Sequence, residues 1–130
     1  MTKTFCLLNH KLTENQIADL ETNFNSIQIV YPSEELSKQW SQINPEHESD
    51  DVIKNAVAWL QDAQKEDLLV IQGEYGCTFK LVDYALKKGL IPIYATTKRI
   101  AKETRDGEKV NRNYIFEHVC FRRYKYFNQV

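Results

Sequence analysis

The sequence predicts an α/β protein in which a parallel sheet is flanked by helices and followed by a C-terminal antiparallel β-hairpin. Short apolar runs alternate with segments of helical periodicity from Thr4 to Tyr94, which is the pattern of parallel strands joined by crossover helices. Asp106-Gly107 then separates two strand-like segments, Arg99–Arg105 and Glu108–Phe116, as is typical of a tight hairpin. These two observations define the expected class.

Four short apolar segments are predicted to form the parallel strands. Runs of this kind suit strands that are buried on both faces. Pro92 marks a position in the fourth strand where the ladder does not need a backbone N–H. The segments are Thr4–Leu8, Ile27–Tyr31, Leu68–Ile71 and Leu90–Tyr94.

Helices are predicted between these strands from their capping signals. Thr13-Glu14-Asn15-Gln16 has the pattern of a capping box at the start of the first helix. Ser33 and Ser49 are expected to cap the second and third helices. The fourth helix has apolar positions that include Phe79, and Gly89 is expected to end it.

The composition indicates one folded domain, residues 1–130. A chain of 130 residues suits a single core, and 42% hydrophobic residues exclude a disordered chain. The formal net charge of −1 provides no overall attraction for duplex DNA. A polyanionic ligand therefore needs a local cluster of cations, and we expect a compact ligand site rather than duplex DNA binding.

Targeting and metal signals are absent from the sequence. Phe5–Leu8 is too short for a signal peptide, and no stretch approaches the roughly 20 apolar residues of a membrane span. Cys6, Cys77 and Cys120 are far apart in the sequence, which favours reduced thiols in the cytoplasm over a zinc site. No group of His, Asp, Glu and Cys has metal-ligand spacing, so neither a metal nor another cofactor is expected.

Three strand ends carry residues suited to a ligand. Open α/β sheets bind ligands at the carboxyl ends of their strands, near the point where strand order reverses. The first strand is followed by Asn9-His10, the third by Gln72–Thr78 and the fourth by Ala95–Arg99. If the first and third strands are neighbours, these three loops converge on one crevice.

The loop Gly73-Glu74-Tyr75-Gly76-Cys77-Thr78 leads into the N-terminus of a helix. Its glycines permit close backbone approach and positive φ, and the free N–H groups favour a phosphate. It is not a Walker loop and lacks the full dinucleotide-binding fingerprint, so a tight turn without a ligand is the alternative. Glu74 would repel a phosphate if it pointed inward. It is therefore expected to face water or a ribose hydroxyl instead.

Thr96-Thr97-Lys98-Arg99 offers two hydroxyl donors and two cations, which suit a phosphate. In the alternative interpretation, Lys98 and Arg99 are ordinary solvated charges at the start of the hairpin. His10 suits proton transfer or the orientation of a hydroxyl near neutral pH, or it caps a turn. His118, in a strand-like context, is expected to be packed or exposed rather than catalytic.

Two further features have competing interpretations. Cys77 lies near a helix N-terminus, where a cysteine can act as a nucleophile, but residues 78–83 contain no arginine to close a phosphate loop. We therefore expect a buried thiol. The tail Phe121–Phe127 is aromatic and basic, and either stacks bases or packs as a strand on the core or on another subunit.

Four longer motifs resemble a known family. They are Leu7-Leu8-Asn9-His10, residues 69–76 (LVIQGEYG), residues 91–99 (IPIYATTKR) and Phe116–Tyr124. Over essentially the whole chain, the sequence resembles small CRISPR-associated proteins of the Csx group, and residues 91–99 are the most specific part. That group is similar to CARF domains, the Rossmann-like sensors of cyclic oligoadenylates in type III CRISPR defence, and several members are regarded as ring nucleases.

The resemblance implies a small Rossmann-like (CARF-like) fold and a homodimer whose two-fold axis passes through the ligand site. The implied activity is a metal-independent ring nuclease that opens cyclic tetra-adenylate to linear products with a 2′,3′-cyclic phosphate, which switches off antiviral signalling. It also implies catalytic roles for His10, Lys98 and Arg99. The implied ligand-binding residues are Asn9, Gln72, Gly73, Glu74, Tyr75, Gly76, Thr78, Thr96 and Thr97.

Two other functions stay open at this point. A sensor or sponge that binds cyclic oligoadenylate without cleaving it would use the same residues, although the lack of an appended effector domain favours the enzyme. An unrelated small nucleotide-binding protein is the second alternative. The hairpin and the Thr96–Arg99 block argue against it.

Overall fold

The computed structural model describes residues 1–129 and contains one five-stranded mixed sheet. Its strands are β1 (Thr2–Leu7), β2 (Ser26–Val30), β3 (Leu68–Ile71), β4 (Ile91–Asp106) and β5 (Lys109–Arg123). The spatial order is β2-β1-β3-β4-β5, with β1 to β4 parallel and β5 antiparallel to β4. The predicted parallel sheet and the antiparallel hairpin are therefore both present.

Four helices connect or flank these strands: α1 (Glu14–Phe24), α2 (Glu34–Ser41), α3 (Asp50–Trp59) and α4 (Tyr75–Lys88). Short 3-10 turns lie at Leu60–Asp62 and Phe127–Gln129. Of the helices within residues 1–129, none is both long enough and apolar enough to cross a membrane.

The helix ends follow most of the predicted capping signals. Thr13 and Gln16 form the capping box of α1, in which Gln16 N–H donates to Thr13 Oγ1 at 3.2 Å. Gly89 ends α4 at a φ of 88°, a left-handed conformation that favours glycine. Ser49 is the N-cap residue of α3 as predicted, but its side chain makes no capping hydrogen bond. Ser49 has φ −106° and ψ 39° instead of the extended backbone that directs a capping hydroxyl toward the helix.

The core lies on both faces of the sheet, because residues of buried parallel strands alternate between faces. Helices α2, α3 and α4 cover one face, where Trp40 and Leu81 are buried with Ile71. Helix α1 covers the other face, where Leu20 packs near Phe121. The sequence predicts Phe79 on the packed side of α4, but Phe79 is 77% exposed. The buried positions of α4 are instead Cys77, Leu81 and Ala85.

The outer parts of β4 and β5 project from the sheet as a two-stranded arm, which we call the ribbon (residues 97–118). Only Ile91–Ile93 of β4 pair with β3, whereas β4 and β5 pair from Ile93↔Arg123 to Asp106↔Lys109. About ten residues in each strand lie outside the sheet, a length of about 30 Å. Gly107 adopts φ 64° in the terminal turn, so the predicted Asp106-Gly107 hairpin is confirmed.

Candidate functional site

The C-terminal ends of β1 and β3 lie side by side, because Leu7 pairs with Ile71. β4 pairs with the opposite edge of β3. The segments Asn9-His10 and Gln72–Thr78 therefore begin at adjacent strand ends. β2 lies on one side of β1, and β3 lies on the other side, so the strand order reverses at β1. Open α/β sheets bind ligands at such a reversal of strand order.

The Thr96–Arg99 segment is part of a strand and not a loop. The sequence places it after a fourth strand that ends at Tyr94, and that expectation is wrong. β4 continues without interruption, because β5 supplies antiparallel backbone partners from Arg123 down to Lys109. The partners of Thr96, Thr97, Lys98 and Arg99 are Cys120, His118, Glu117 and Phe116.

Strand geometry divides this segment between two faces. Successive side chains of a strand alternate, so Thr96 and Lys98 lie on one face and Thr97 and Arg99 on the other. The first face is also that of Tyr94, whose ring packs against Tyr124 with centroids 4.7 Å apart. Four side chains that alternate in this way do not converge on a single phosphate.

Two of the four side chains already have intramolecular partners. The Thr96 hydroxyl donates to the Cys120 carbonyl at 3.0 Å, so it must give up this bond to donate to a phosphate. The Arg99 guanidinium carbon lies 4.3 Å from the centroid of the Tyr114 ring, a cation–π contact. Lys98 is exposed and stands opposite Glu117 in the ladder.

Gln72 joins three strands at the site. Its backbone N–H donates to the carbonyl of Leu7 at 3.3 Å, and its side-chain Oε1 accepts from Ala95 N–H at 3.0 Å. Its carbonyl accepts from Trp40 Nε1 at 3.0 Å. Gln72 therefore holds the ends of β1, β3 and β4 together, a structural role that the sequence does not reveal.

Gly73 is required by a neighbouring side chain. A Cβ at this position would lie 2.6 Å from Trp40 Cζ2, inside van der Waals contact. The positive-φ glycines among residues 1–129 are Gly89 and Gly107, so the loop does not use the positive φ that Gly73 and Gly76 permit. The indole of Trp40 sets the requirement at Gly73.

Glu74 occupies the helix N-terminus that the sequence suggests for a phosphate. Its Oε1 accepts from Gly76 N–H and its Oε2 from Cys77 N–H, both at 3.0 Å. The pKa of Glu74 is lowered from its ordinary value of 4.5, mainly because the hydrogen bond from Cys77 N–H stabilises the charged carboxylate. The side chain therefore caps α4 as an anion, and a phosphate would compete with it for the same amides.

The remaining predicted residues of this loop differ in exposure. Tyr75 is 93% exposed, and Phe79 one helical turn later is 77% exposed. The hydroxyl oxygen of Thr78 is buried and has no hydrogen-bond partner within residues 1–129. Among the predicted ligand-binding residues, Thr78 therefore has a buried polar atom whose hydrogen-bonding capacity is unsatisfied within residues 1–129.

His10 lines a cavity of about 520 Å³ between the ends of β1 and β2. Its Nδ1 lies 2.8 Å from the carbonyl oxygen of Lys11. A carbonyl only accepts, so Nδ1 is the donor in this contact. The cavity is lined by residues from 6–11 and 31–41, and none of its lining comes from 72–78 or 96–99.

A second, smaller cavity of about 340 Å³ lies beside the start of α4, where Glu46, Glu48 and Glu74 face Lys80. Cys77 lines it but is only 5% exposed, and burial followed by the charge of Glu74 raises the pKa of its thiol. The expected buried thiol at Cys77 is confirmed. Among residues 1–129, no three His, Cys, Asp or Glu side chains are grouped to hold a metal ion.

His118 has a specific role that sequence patterns do not reveal. Its Nε2 lies 2.7 Å from Asp19 Oδ2, which joins β5 to α1. Of the two positions that the sequence left open for His118, packed or exposed, the structure has the packed one, since its side chain is 6% exposed. No local signal indicates the Asp19 contact, because the partners are 99 residues apart. Tyr31 and Lys38 of the larger cavity were likewise not singled out by the sequence.

Comparison with known proteins identifies the family. The model of the uncharacterized protein MJ1673 family matches residues 2–122. This chain belongs to that family. A relative described as "Uncharacterized protein MJ1673", from Methanocaldococcus jannaschii, is 40% identical over 126 residues, which cover 95% of this chain and 98% of the relative. No solved structure matches the chain.

Proposed function

We propose that this protein is a ring nuclease that binds cyclic tetra-adenylate and opens it without a metal. In this proposal the α/β sheet is a small Rossmann-like domain of the CARF type, and its cleavage of the messenger ends type III CRISPR signalling in the cytoplasm. One observation carries the proposal. His10 follows β1, with its Nδ1 directed at the Lys11 carbonyl, and Lys98 lies on β4 beyond the same end of the sheet, with β3 between the two strands.

The distance across this edge suits a ring of nucleotides. Two strand spacings separate β1 from β4, or about 10 Å. Gln72 fixes that spacing, since it bonds to Leu7 and Ala95 on the two flanking strands. In this proposal the side chains of His10 and Lys98 approach one phosphodiester of the ring from two strands that lie about 10 Å apart.

The proposed reaction is an internal transesterification. A ribose 2′-oxygen attacks the adjacent phosphorus, the bond from phosphorus to the 5′-oxygen breaks, and a 2′,3′-cyclic phosphate and a free 5′-hydroxyl result. His10 Nε2 accepts the 2′-hydroxyl proton, and the ammonium of Lys98 stabilises the phosphorane and supplies a proton to the leaving oxygen. Correct orientation of an internal nucleophile is worth about 7–11 kcal/mol of the barrier in favourable cases.

The other predicted residues have supporting roles in this proposal. Arg99 lies on the opposite face of the strand from Lys98, so it contacts a different phosphate of the ring. Thr78 makes no direct ligand contact in this proposal, because its hydroxyl oxygen is buried. Asn9, Tyr75, Gly76 and Thr97 complete the contact surface.

A homodimer with the ligand on its two-fold axis is part of the proposal. The ribbon exposes apolar side chains, among them Val110 at 53%, Tyr114 at 48% and Phe116 at 66%. A two-stranded ribbon with no further partner is marginally stable in water, and an exposed long edge strand favours pairing with another chain. A two-fold contact would present each half-site twice to a ligand of matching symmetry.

A sensor or sponge that does not cleave the ring is the second candidate. The alternation of Thr96–Arg99 between two faces favours it, because no single loop of cations closes around one phosphate. Glu74 favours it too, since its carboxylate already caps the helix that would otherwise stabilise charge on the phosphorane.

The test is incubation of the protein with labelled cyclic tetra-adenylate in the presence of a chelator, followed by separation of the products. The enzyme predicts linear species that end in a cyclic phosphate. Tight binding with an intact ring after long incubation would establish the sponge instead. Absence of both binding and cleavage would reject both candidates.

A further inference from the structure

The cavity between β1 and β2 is larger than the one beside the start of α4 and has the size of a nucleotide site. Its volume of about 520 Å³ lies within the range of small-molecule sites, roughly 300–1,000 Å³. β1 and β2 are adjacent parallel strands, and α2 follows β2 to form the far wall. The cavity therefore lies at a carboxyl end of the parallel sheet.

The charge of this cavity is locally positive in a chain of formal net charge −1. Lys11 lies on the wall after β1, and Lys38 lies on α2. Glu34 is on the same wall as Lys38, one helical turn before it, because residues four apart share a helix face. The two ammonium groups outweigh this carboxylate, and together they suit one phosphate group.

The remaining lining suits a base and a sugar. Tyr31 is 37% exposed, and Lys11 Nζ lies over its ring, 5.6 Å from the centroid. An exposed tyrosine ring is a stacking surface for a base. Asn9 is the carboxamide among the lining residues, and an amide of this kind can donate to N7 of adenine and accept from its N6 amine. Ser37 adds a hydroxyl for the ribose.

We infer that this cavity binds one adenosine monophosphate unit, with the base on Tyr31 and Asn9 and the phosphate between Lys11 and Lys38. The choice of a nucleotide as the ligand rests on the proposed function. To that function the inference adds a pocket that recognises the adenine base. His10 Nε2 lies at the same cavity, so the bound unit would bring its ribose to the proposed general base.

The test is a titration of the full chain with adenosine monophosphate, monitored through the NMR chemical shifts of the backbone amides. The inference predicts saturable shifts at residues 9–11 and 31–41. Lys38→Ala should weaken binding about tenfold, as expected for loss of one charge-assisted contact. Tyr31→Ala should weaken it about fivefold or more through lost stacking, whereas Tyr31→Phe should keep wild-type affinity. Lys54→Ala, an exposed lysine on α3, is the matched control.

Three outcomes would overturn the inference: no saturable shifts, the same shifts with inorganic phosphate alone, or equal affinity for uridine monophosphate. The test does not depend on cleavage. Mapped binding of adenosine monophosphate together with an intact cyclic tetra-adenylate ring would reject the enzyme but keep the pocket. Wild-type cleavage by Tyr31→Ala and Lys38→Ala, with no monophosphate binding, would reject the pocket but keep the enzyme.

Discussion

His118 Nε2 lies 2.7 Å from Asp19 Oδ2, and this contact joins the base of the ribbon to α1. Both side chains are largely removed from solvent, with 6% of His118 and 13% of Asp19 exposed. The other carboxylate oxygen of Asp19 accepts from Asn23 Nδ2 at 2.6 Å. The pair is thus the point at which the ribbon is held against the body of the protein.

Replacement of Asp19 should destabilise the fold. Asp19→Ala leaves a buried imidazole without its partner, which costs about 1–3 kcal/mol and lowers Tm by roughly 5 °C or more. Thermal unfolding followed by circular dichroism measures this. Glu21→Ala, an exposed residue of the same helix, is the control and should change stability by less than about 0.5 kcal/mol. Equal melting of the two variants would show that the Asp19 contact contributes nothing.

The carboxylate of Glu74 should stabilise α4 in a pH-dependent way. Its folded pKa is lowered, chiefly by the N–H of Cys77, so its contribution is present above the ordinary value of 4.5 and is lost as pH falls below it. Glu74→Ala should cost about 0.5–1 kcal/mol near pH 7 through loss of the cap. Urea unfolding at neutral and at acid pH checks this. A difference between wild type and variant that persists in acid would contradict the assignment.

The exposed ribbon residues should control self-association. Phe116 is 66% exposed on the ribbon, and Phe116→Asp should convert a dimer to a chain of 15.3 kDa by light scattering. Phe127 is 94% exposed but lies outside the ribbon, so Phe127→Asp is the control and should stay dimeric. A monomeric wild type, or a dimeric Phe116→Asp variant, would rule out the ribbon as the interface.

The three cysteines should react at very different rates with an aromatic disulfide reagent. Cys120 is exposed, whereas burial raises the pKa of Cys6 to about 12 and also raises that of Cys77. Since the thiolate is the reactive form, the native protein should release one fast equivalent and the unfolded protein three. Cys120→Ser should abolish the fast phase. A second fast equivalent would show that Cys6 or Cys77 is more accessible than described.

Lys98 should be necessary for ring opening under the proposed function. Lys98→Ala removes the ammonium that stabilises the phosphorane, so turnover should fall at least about tenfold, or roughly 1.4 kcal/mol of barrier. Lys102→Ala is the matched control, because Lys102 lies on the same face of β4 four residues nearer the ribbon tip and is also exposed. Unchanged turnover of Lys98→Ala would remove Lys98 from the mechanism.

Local signals predict much of the fold. Thr13 and Gln16 indicate the start of α1, Gly89 the end of α4 and Gly107 the hairpin turn, because each feature depends on neighbouring residues only. The length of β4 could not be predicted in the same way. Its continuation past Tyr94 depends on antiparallel partners in β5, which lie up to 30 positions further along the chain (Ile93↔Arg123).

The site is less predictable than the fold, because its side chains are fixed by distant contacts. Gly73 resembles part of a phosphate loop in sequence, but Trp40 determines its need for glycine. From the sequence, the negative charge of Glu74 is expected to oppose phosphate binding. In the structure, its carboxylate stabilises the N-terminus of α4 as a cap. In both cases the residue type was informative, and the partner that explains it was not visible in the local sequence.

The most direct test of the central claim is ring opening in water labelled with heavy oxygen, analysed by mass spectrometry. Internal attack by a 2′-hydroxyl admits no water, so the first linear product should have the same mass as cyclic tetra-adenylate and carry no heavy oxygen. A first product that contains heavy oxygen would show attack by water, and an unchanged ring would show that the protein does not cleave it. Either of these results would contradict the account.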